Sequence, residues 1–217
     1  MNEKKIHVYL AGDSTVQTYH EDQDQAGWGQ FIQHYFTDRV QVHNHAIGGR
    51  SSKTFIQEGR LDEIIASIAK GDYLLIQMGH NDSTKIRPER YTEPYGDYHD
   101  YLKQYIDQAR SKQAIPILVT PVGRLHYVNG EFLADFGDYR NAMKEVALEK
   151  EVPIIDLMKS SIGYFTTLGY DQTEKLFMIS VNGTDCTHFT KKGANEMAKL
   201  VAAGVKDLSV NLSREVK

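Results

Sequence analysis

The residues with the clearest chemical potential are one serine near the start of the chain and one histidine near its end. Ser14 follows a short β-rich run and lies two residues after Gly12, which permits a sharp turn. Asp185 lies three residues before His188, so its carboxylate can reach the imidazole when the loop is turned. A histidine base activates a serine nucleophile, and a carboxylate fixes the histidine tautomer. These residues allow nucleophilic acyl transfer; a helix-capping Ser14 and a surface-loop His188 remain the alternatives.

Two further loops carry groups that could stabilise a negatively charged oxygen. Gly48 and Gly49 follow a second β-rich run, and paired glycines can turn a backbone N–H towards a ligand. Asn81 follows a third run, and its side-chain amide can donate to a developing oxyanion. An ordinary loop and an Asx turn are the alternatives. The matching loop positions and complementary roles of these groups favour a hydrolase site.

The chain alternates between short β-rich runs and stretches in which apolar residues recur at helical spacing. The predicted strands cover 6–10, 40–46, 73–78, 115–120 and 152–155. The predicted helices cover 27–36, 60–69, 97–112, 138–150 and a last segment from the N-cap Thr190 to about 208. This alternation predicts an α/β fold, a three-layer α/β/α sandwich with a flavodoxin-like five-stranded parallel sheet. No linker divides the chain, so we expect one domain over 1–217, with 209–217 frayed.

The predicted sheet also explains how distant residues could meet. Ligands of such sheets bind beyond the carboxyl ends of the strands, near the point where the strand order switches. With the order 2-1-3-4-5, the first three strands are neighbours. The loops after them hold Ser14, Gly49 and Asn81, so we expect these residues to converge at one edge of the sheet.

Four blocks, taken in order, resemble the SGNH (GDSL-type) hydrolase superfamily. They are Gly12-Asp13-Ser14-Thr15, Gly49 within Ala46-Ile47-Gly48-Gly49-Arg50-Ser51, Gly79-His80-Asn81-Asp82 and Asp185-x-x-His188, and they extend over about residues 5–207. The first block reads GDST rather than GDSL. Together with Asn44-x-Ala46-x-Gly48-Gly49-Arg50-Ser51-Ser52 and the threonine before His188, this is similar to the rhamnogalacturonan acetylesterase branch, which removes acetyl esters from pectin-type backbones.

The resemblance implies a serine esterase that releases acetate from pectin-derived oligosaccharides through an acyl-enzyme. Ser14 would be the nucleophile, His188 its base and Asp185 the residue that orients His188. The oxyanion hole would combine the Ser14 N–H, the Gly49 N–H and the Asn81 side chain. No metal or cofactor is implied. The alternatives within the superfamily are a lipase, thioesterase or arylesterase on small acyl esters, or an esterase on another acetylated glycan such as xylan.

Three further interpretations are weaker. Cys186 is a rival nucleophile, but its place between the acid and the base favours a small, partly buried filler. A metal-dependent phosphoesterase would need a ligand set, whereas the nine histidines are scattered along the chain. A non-catalytic glycan-binding module on the same fold is the last alternative.

Several side chains are candidate substrate contacts. Arg50 could meet the carboxylate of an acidic sugar, with a surface salt bridge as the alternative. Trp28 could wall the pocket or anchor the core. Tyr91 and Tyr95 could stack on sugar rings, and His126 lies in a long loop of the kind that often carries function.

Composition limits the partners and the compartment. A net charge of −4 over 217 residues leaves no basic surplus for nucleic acid, and no apolar run is long enough to span a membrane. The single cysteine excludes an intrachain disulfide, and the first residues fit an export segment poorly. We therefore expect a cytoplasmic protein that acts on acetylated oligosaccharides and has no nucleic-acid or membrane partner. The sequence gives no indication of the oligomeric state.

Overall fold

A five-stranded parallel sheet forms the centre of the computed structural model, which describes residues 5–217. Its strands are β1 (Ile6–Gly12), β2 (Val40–Asn44), β3 (Tyr73–Gln77), β4 (Ile115–Val119) and β5 (Ile154–Ile155). They lie in the order 2-1-3-4-5, with Val8 opposite Val42 on one side and Tyr73 on the other. Every residue of β3 is buried, as a central strand covered on both faces requires. The sheet confirms the predicted fold class and strand order.

Helices cover both faces of this sheet. They are α1 (Ser52–Gln57), α2 (Arg60–Ser67), α3 (Asp97–Ser111), α4 (Gly137–Glu149), α5 (Leu157–Leu168), α6 (Tyr170–Glu174), α7 (Ile179–Asn182) and α8 (Lys191–Lys206). Helices α2, α3 and α4 pack with Leu74 and Ile76 in one core cluster. Helices α5 and α8 pack with Leu75 and Val119 in the other, which completes the three layers. None of the helices in residues 5–217 has the length and apolar character needed to cross a membrane.

Two short antiparallel pairs lie outside the central sheet. Gln25–Ala26 pairs with Phe189–Thr190, which ties the segment after Ser14 to the segment after His188. Thr190 then caps α8, because its side chain accepts a hydrogen bond from the Gly193 N–H at 3.2 Å, as predicted. The second pair, Tyr127–Val128 with Glu131–Phe132, forms a hairpin in the long loop after β4.

The prediction of one helix over 27–36 is wrong. The segment forms two 3₁₀ turns, Trp28–Gln30 and Ile32–Tyr35. The backbone N–H of Trp28 donates to the carbonyl of Thr15 at 2.8 Å, and a methyl group on Gly29 would lie 2.4 Å from the Val16 carbonyl oxygen. Close packing of this segment against the Ser14 turn therefore replaces a regular helix.

The C-terminal segment 209–217 is also not frayed, contrary to the prediction. It forms a 3₁₀ turn over Asn211–Glu215. Leu212 is fully buried, and Glu215 accepts a hydrogen bond from Arg39 at 2.8 Å. The segment therefore belongs to the packed domain, although its polar composition resembles that of a loose tail.

Candidate active site

Ser14 lies in a tight turn directly after β1. The N–H groups of Val16 and Gln17 donate to the Asp13 carbonyl at 3.1 and 3.0 Å. The buried Asp13 carboxylate accepts hydrogen bonds from the N–H and the hydroxyl of Thr15, at 2.9 and 2.8 Å. The turn is thus held by its own neighbours, and the half-buried Ser14 is free to aim its hydroxyl at another loop.

That loop holds the acid and the base that the sequence predicts. Ser14 Oγ lies 2.9 Å from His188 Nε2, and His188 Nδ1 lies 2.7 Å from Asp185 Oδ2. Because the carboxylate accepts from Nδ1–H, Nε2 carries the lone pair that can take the serine proton. The structure therefore brings together all three residues in the order that nucleophilic catalysis by serine requires.

The Asp185 carboxylate also shapes its own loop. Its Oδ1 accepts the backbone N–H groups of Thr187 and His188 at 2.9 and 3.0 Å. Partial burial alone would raise the pKa of Asp185, but these donors and the His188 side chain outweigh burial and lower the pKa below its ordinary value. Asp185 therefore stays ionised while it orients the imidazole.

The predicted oxyanion donors lie on the loops after β1, β2 and β3, which are neighbours in the sheet. Gly49 is exposed and has φ +81°, a conformation that glycine adopts without strain. The Asn81 side chain donates to the Arg50 carbonyl at 2.9 Å, which leaves its second N–H hydrogen for a ligand. The arrangement supports the predicted oxyanion hole.

Several known proteins are similar to this chain in sequence. A family model described as GDSL-like Lipase/Acylhydrolase matches residues 8–201. The chain belongs to this family. The probable rhamnogalacturonan acetylesterase YesY of Bacillus subtilis is 57% identical over 210 residues, which cover 97% of each chain. The rhamnogalacturonan acetylesterase RhgT of Bacillus subtilis is 42% identical, covering 98% of this chain and 94% of that one.

Solved structures share the fold of this GDSL-like protein. The crystal structure of YxiM from Bacillus subtilis has a TM-score of 0.85 and 33% identity, covering 94% of this chain and 56% of that one. The chain thus spans about half of YxiM's length. The acetylxylan esterase Axe2 of Geobacillus stearothermophilus has a TM-score of 0.69 at 15% identity, covering 93% of this chain and 94% of that one. At that identity, the likeness concerns the fold alone.

Two buried aspartates brace the loops of this GDSL-like site. Asp82 accepts from the Ser52 N–H at 3.1 Å and from the hydroxyls of Ser52 and Thr92 at 2.5 and 2.9 Å. Burial raises the pKa of Asp82 to about 6. Asp13 lies 3.1 Å from His80 Nδ1; burial raises its pKa, but the His80 charge and the hydrogen bonds outweigh burial and lower it overall. These contacts tie the turn after β1 and the start of α1 to the loop after β3.

Three of the five candidate substrate contacts are engaged by other side chains of the protein. Trp28 is 1% exposed, and its indole N–H donates to Gln77 Oε1 at 2.8 Å, so it anchors the core and does not wall a pocket. Arg50 Nε donates to Glu58 at 2.9 Å, which favours the salt-bridge alternative. His126 bonds with Asp135 on the hairpin loop.

Tyr91 and Tyr95 remain available to a ligand. Tyr95 is 53% exposed, and the Tyr91 hydroxyl donates to Glu93 at 2.6 Å. Both line a shallow cavity of about 200 Å³ together with Ser83, Lys85, Glu93, Pro94, Asp138 and Tyr139. By contrast, Tyr98 and Tyr105 are fully buried in the core.

The structure also shows residues that the sequence did not point to. Gln17 Oε1 accepts the Gly48 N–H at 2.5 Å, and thus holds the loop that carries Gly49. The Tyr19 hydroxyl donates to the Ser14 carbonyl at 3.0 Å, and burial raises the pKa of Tyr19 to about 12. The position of Gln17 and Tyr19 just after Ser14 was the one sequence signal for them. The groups that they contact, Gly48 and the Ser14 carbonyl, depend on the three-dimensional path of the loop.

Cys186, the rival nucleophile, does not enter the chain of hydrogen bonds. Its backbone carbonyl accepts the Leu125 N–H at 2.9 Å, and its half-buried side chain packs against the core. Within residues 5–217, no group of three or more His, Cys, Asp or Glu side chains could hold a metal ion.

Proposed function

We propose that this protein is a serine acetylesterase that removes acetyl groups from rhamnogalacturonan-type oligosaccharides. The observation that carries the proposal is the continuous hydrogen-bond chain from Ser14 Oγ through His188 to Asp185, at 2.9 and 2.7 Å. The substrate class is supported by YesY and RhgT, two relatives named for rhamnogalacturonan acetylesterase activity.

Acylation begins with attack of Ser14 Oγ on the acetyl carbonyl carbon. His188 Nε2 accepts the serine proton as the new C–O bond forms, and Asp185 stabilises the resulting imidazolium. The tetrahedral intermediate places its negative charge on the former carbonyl oxygen. His188 then gives its proton to the sugar oxygen, the bond from that oxygen to the acetyl carbon breaks, and the sugar leaves with a free hydroxyl.

Deacylation repeats these steps with water in place of Ser14. His188 takes a proton from water, whose oxygen attacks the acetyl-serine carbonyl carbon. The second tetrahedral intermediate collapses, the proton returns to Ser14 Oγ, and acetate departs. In both halves the backbone N–H groups of Ser14 and Gly49 and the Asn81 amide would donate to the oxyanion, and each such donor contributes roughly 3–4 kcal/mol.

Replacement of the nucleophile tests the mechanism. Ser14→Ala should abolish acetate release, because no other hydroxyl is hydrogen-bonded to His188 Nε2 in residues 5–217. Cys186→Ala is the matched control, since it removes the neighbouring thiol and leaves the triad intact. Both variants should keep the wild-type unfolding temperature. Activity retained by Ser14→Ala, or lost only in Cys186→Ala, would contradict the proposed nucleophile.

A substrate panel tests the specificity. We expect the wild type to release acetate from acetylated rhamnogalacturonan oligosaccharides faster than from acetylated xylan or chitin oligosaccharides. Among p-nitrophenyl esters, rates should fall steeply as the acyl chain lengthens beyond acetate. A preference for long acyl chains would favour a lipase or thioesterase. A preference for acetylated xylan would show that the substrate is that glycan and not rhamnogalacturonan.

The cytoplasmic location and the preference for short oligosaccharides are part of the same proposal. A chain with one cysteine can form no intrachain disulfide and suits a reducing compartment. Fractionation of the cells that express the native gene should find the protein with the cytoplasmic markers. Recovery from the medium, or activity restricted to long polymer, would overturn this part of the proposal.

A further inference from the structure

Arg90 lies beside the candidate oxyanion hole. A methyl group placed on Gly49 would lie 4.0 Å from Arg90 Nη1, and no other heavy atom would come within 4 Å beyond its chain neighbours. Arg90 belongs to the loop after β3, in which Asn81 also lies. The loops that supply two of the proposed oxyanion donors therefore also bring a guanidinium to the same edge of the site.

The hydrogen-bonding capacity of this guanidinium is almost unused. A guanidinium has five N–H donors, and among residues 5–217 Arg90 makes one side-chain hydrogen bond, from Nη2 to Thr84 Oγ1 at 3.4 Å. Its Nε is buried and has no partner among residues 5–217. No carboxylate lies within 4.0 Å of its nitrogens in the same residues. A positive charge held this way is suited to an anion supplied by a bound ligand.

Other arginines near the site do not share this property. Arg50 donates to the Glu58 carboxylate and to the Gly48 carbonyl, both at 2.9 Å. Its charge is therefore paired, and two of its N–H donors are already used. Arg87, three residues before Arg90, points its exposed side chain towards Glu89 at 3.7 Å. Of these three arginines, Arg90 is therefore the one without a carboxylate partner among residues 5–217.

We propose that Arg90 binds the carboxylate of a uronic acid in the substrate and so makes the enzyme selective for acidic acetylated oligosaccharides. The inference rests on the proposed acetylesterase function and names the residue that recognises the carboxylate of the substrate. A planar guanidinium can take a carboxylate through two parallel hydrogen bonds, which a lysine cannot reproduce. Arg90 is therefore a binding residue for the sugar, separate from the groups that act on the acetyl carbon.

The test compares Arg90→Gln and Arg90→Lys with Arg87→Gln, a matched control in the same loop whose side chain is 65% exposed. Three substrates are used: an acetylated rhamnogalacturonan oligosaccharide, the same oligosaccharide with its carboxylates methyl-esterified, and p-nitrophenyl acetate. Acetate release and p-nitrophenol release give kcat and KM separately. The same rhamnogalacturonan oligosaccharide without its acetyl groups is also tested as an inhibitor of p-nitrophenyl acetate hydrolysis.

For Arg90→Gln we expect about a 10- to 100-fold loss of kcat/KM on the acidic substrate, mainly through KM, because charge-assisted hydrogen bonds are lost. The loss should be smaller in Arg90→Lys and absent in Arg87→Gln. On the methyl-esterified substrate and p-nitrophenyl acetate, Arg90→Gln should match the wild type within about threefold. The inhibition constant of the unacetylated oligosaccharide should rise in parallel with KM.

Two results would overturn the assignment. Equal kinetics of Arg90→Gln and the wild type on the acidic substrate would show that Arg90 does not meet the carboxylate. A uniform loss on all three substrates would place its effect at the reacting acetyl group. If the wild type released no acetate from either sugar, the proposed function would fail, and inhibition of p-nitrophenyl acetate hydrolysis would still decide the role of Arg90.

Discussion

The Asp185 carboxylate carries out two tasks with its two oxygens. Oδ1 accepts two backbone N–H groups of the loop, whereas Oδ2 accepts His188 Nδ1–H. Asp185→Asn keeps the size of the side chain but offers an N–H or a neutral oxygen to the imidazole, which favours the wrong tautomer. We expect kcat for p-nitrophenyl acetate to fall by about 10⁴-fold, with KM changed little.

Steady-state kinetics of Asp185→Asn beside Asp38→Asn, a change at an exposed carboxylate, would check this. A loss of less than tenfold in Asp185→Asn would show that the imidazole is oriented by something else.

Single residues differ in how far the sequence could assign them. The proximity of Ser14, Asp185 and His188 could be predicted, because only a few residue types perform acyl chemistry and because these residues lie at strand and helix ends. Arg50 and Trp28 could not, because their roles depend on neighbours that are distant in sequence: Glu58 engages Arg50, and Gln77 receives the Trp28 indole. Arg90 could not be singled out either, because its proposed role depends on the lack of a carboxylate partner among residues 5–217.

At the scale of elements, Asp82 connects the loop after β3 to the start of α1. Its carboxylate is fully buried and has a pKa of about 6, whereas an unburied aspartate has 3.8. Folding therefore binds a proton between about pH 4 and 6. The contribution of this group to stability is complete below about pH 4 and is lost as the pH rises through about 6, by roughly 3 kcal/mol.

Asp82→Asn should remove this pH dependence, because the amide does not titrate. Urea unfolding of both proteins at pH 4, 5, 6 and 7 gives the difference in the free energy of unfolding at each pH. We expect the wild type to lose stability relative to Asp82→Asn across this range. A difference that stays constant with pH would mean that the folded protein keeps Asp82 ionised.

The elements themselves were predictable where burial imposes a regular pattern. The first four strands begin at the predicted residues because short apolar runs between turns are typical of a parallel sheet. Helices α6 and α7 span five and four residues, which is too short for a helical period to show in the sequence. The turns over 28–35 were missed for another reason, since their geometry follows from contacts with the Ser14 loop.

Across the whole molecule, the order of the strands determines the site. Only neighbouring strands bring their loops together, and the order 2-1-3-4-5 makes the strands before Ser14, Gly49 and Asn81 adjacent. The strand–helix alternation made a parallel sheet predictable, and the order followed from the flavodoxin-like arrangement that the sequence analysis assumed. The packing of segment 209–217 was not predictable, because its polar residues resemble a loose tail and the burial of Leu212 is visible only in the structure.

The C-terminal segment contributes to global stability and lies apart from the triad. Leu212 is fully buried, and its N–H donates to the Tyr73 hydroxyl at 3.2 Å, which fixes the segment to β3. Leu212→Ala should lower the free energy of unfolding by about 2–5 kcal/mol through lost burial and the cavity left behind, and should lower the unfolding temperature by roughly 5–15 °C.

Leu148→Ala is the matched control, since Leu148 is 82% exposed and its removal should leave the unfolding temperature nearly unchanged. Thermal unfolding followed by circular dichroism, with kcat for p-nitrophenyl acetate at 25 °C, separates stability from catalysis: kcat should stay within about twofold in both variants. Equal unfolding temperatures for the two variants would show that segment 209–217 contributes nothing to the stability of the fold.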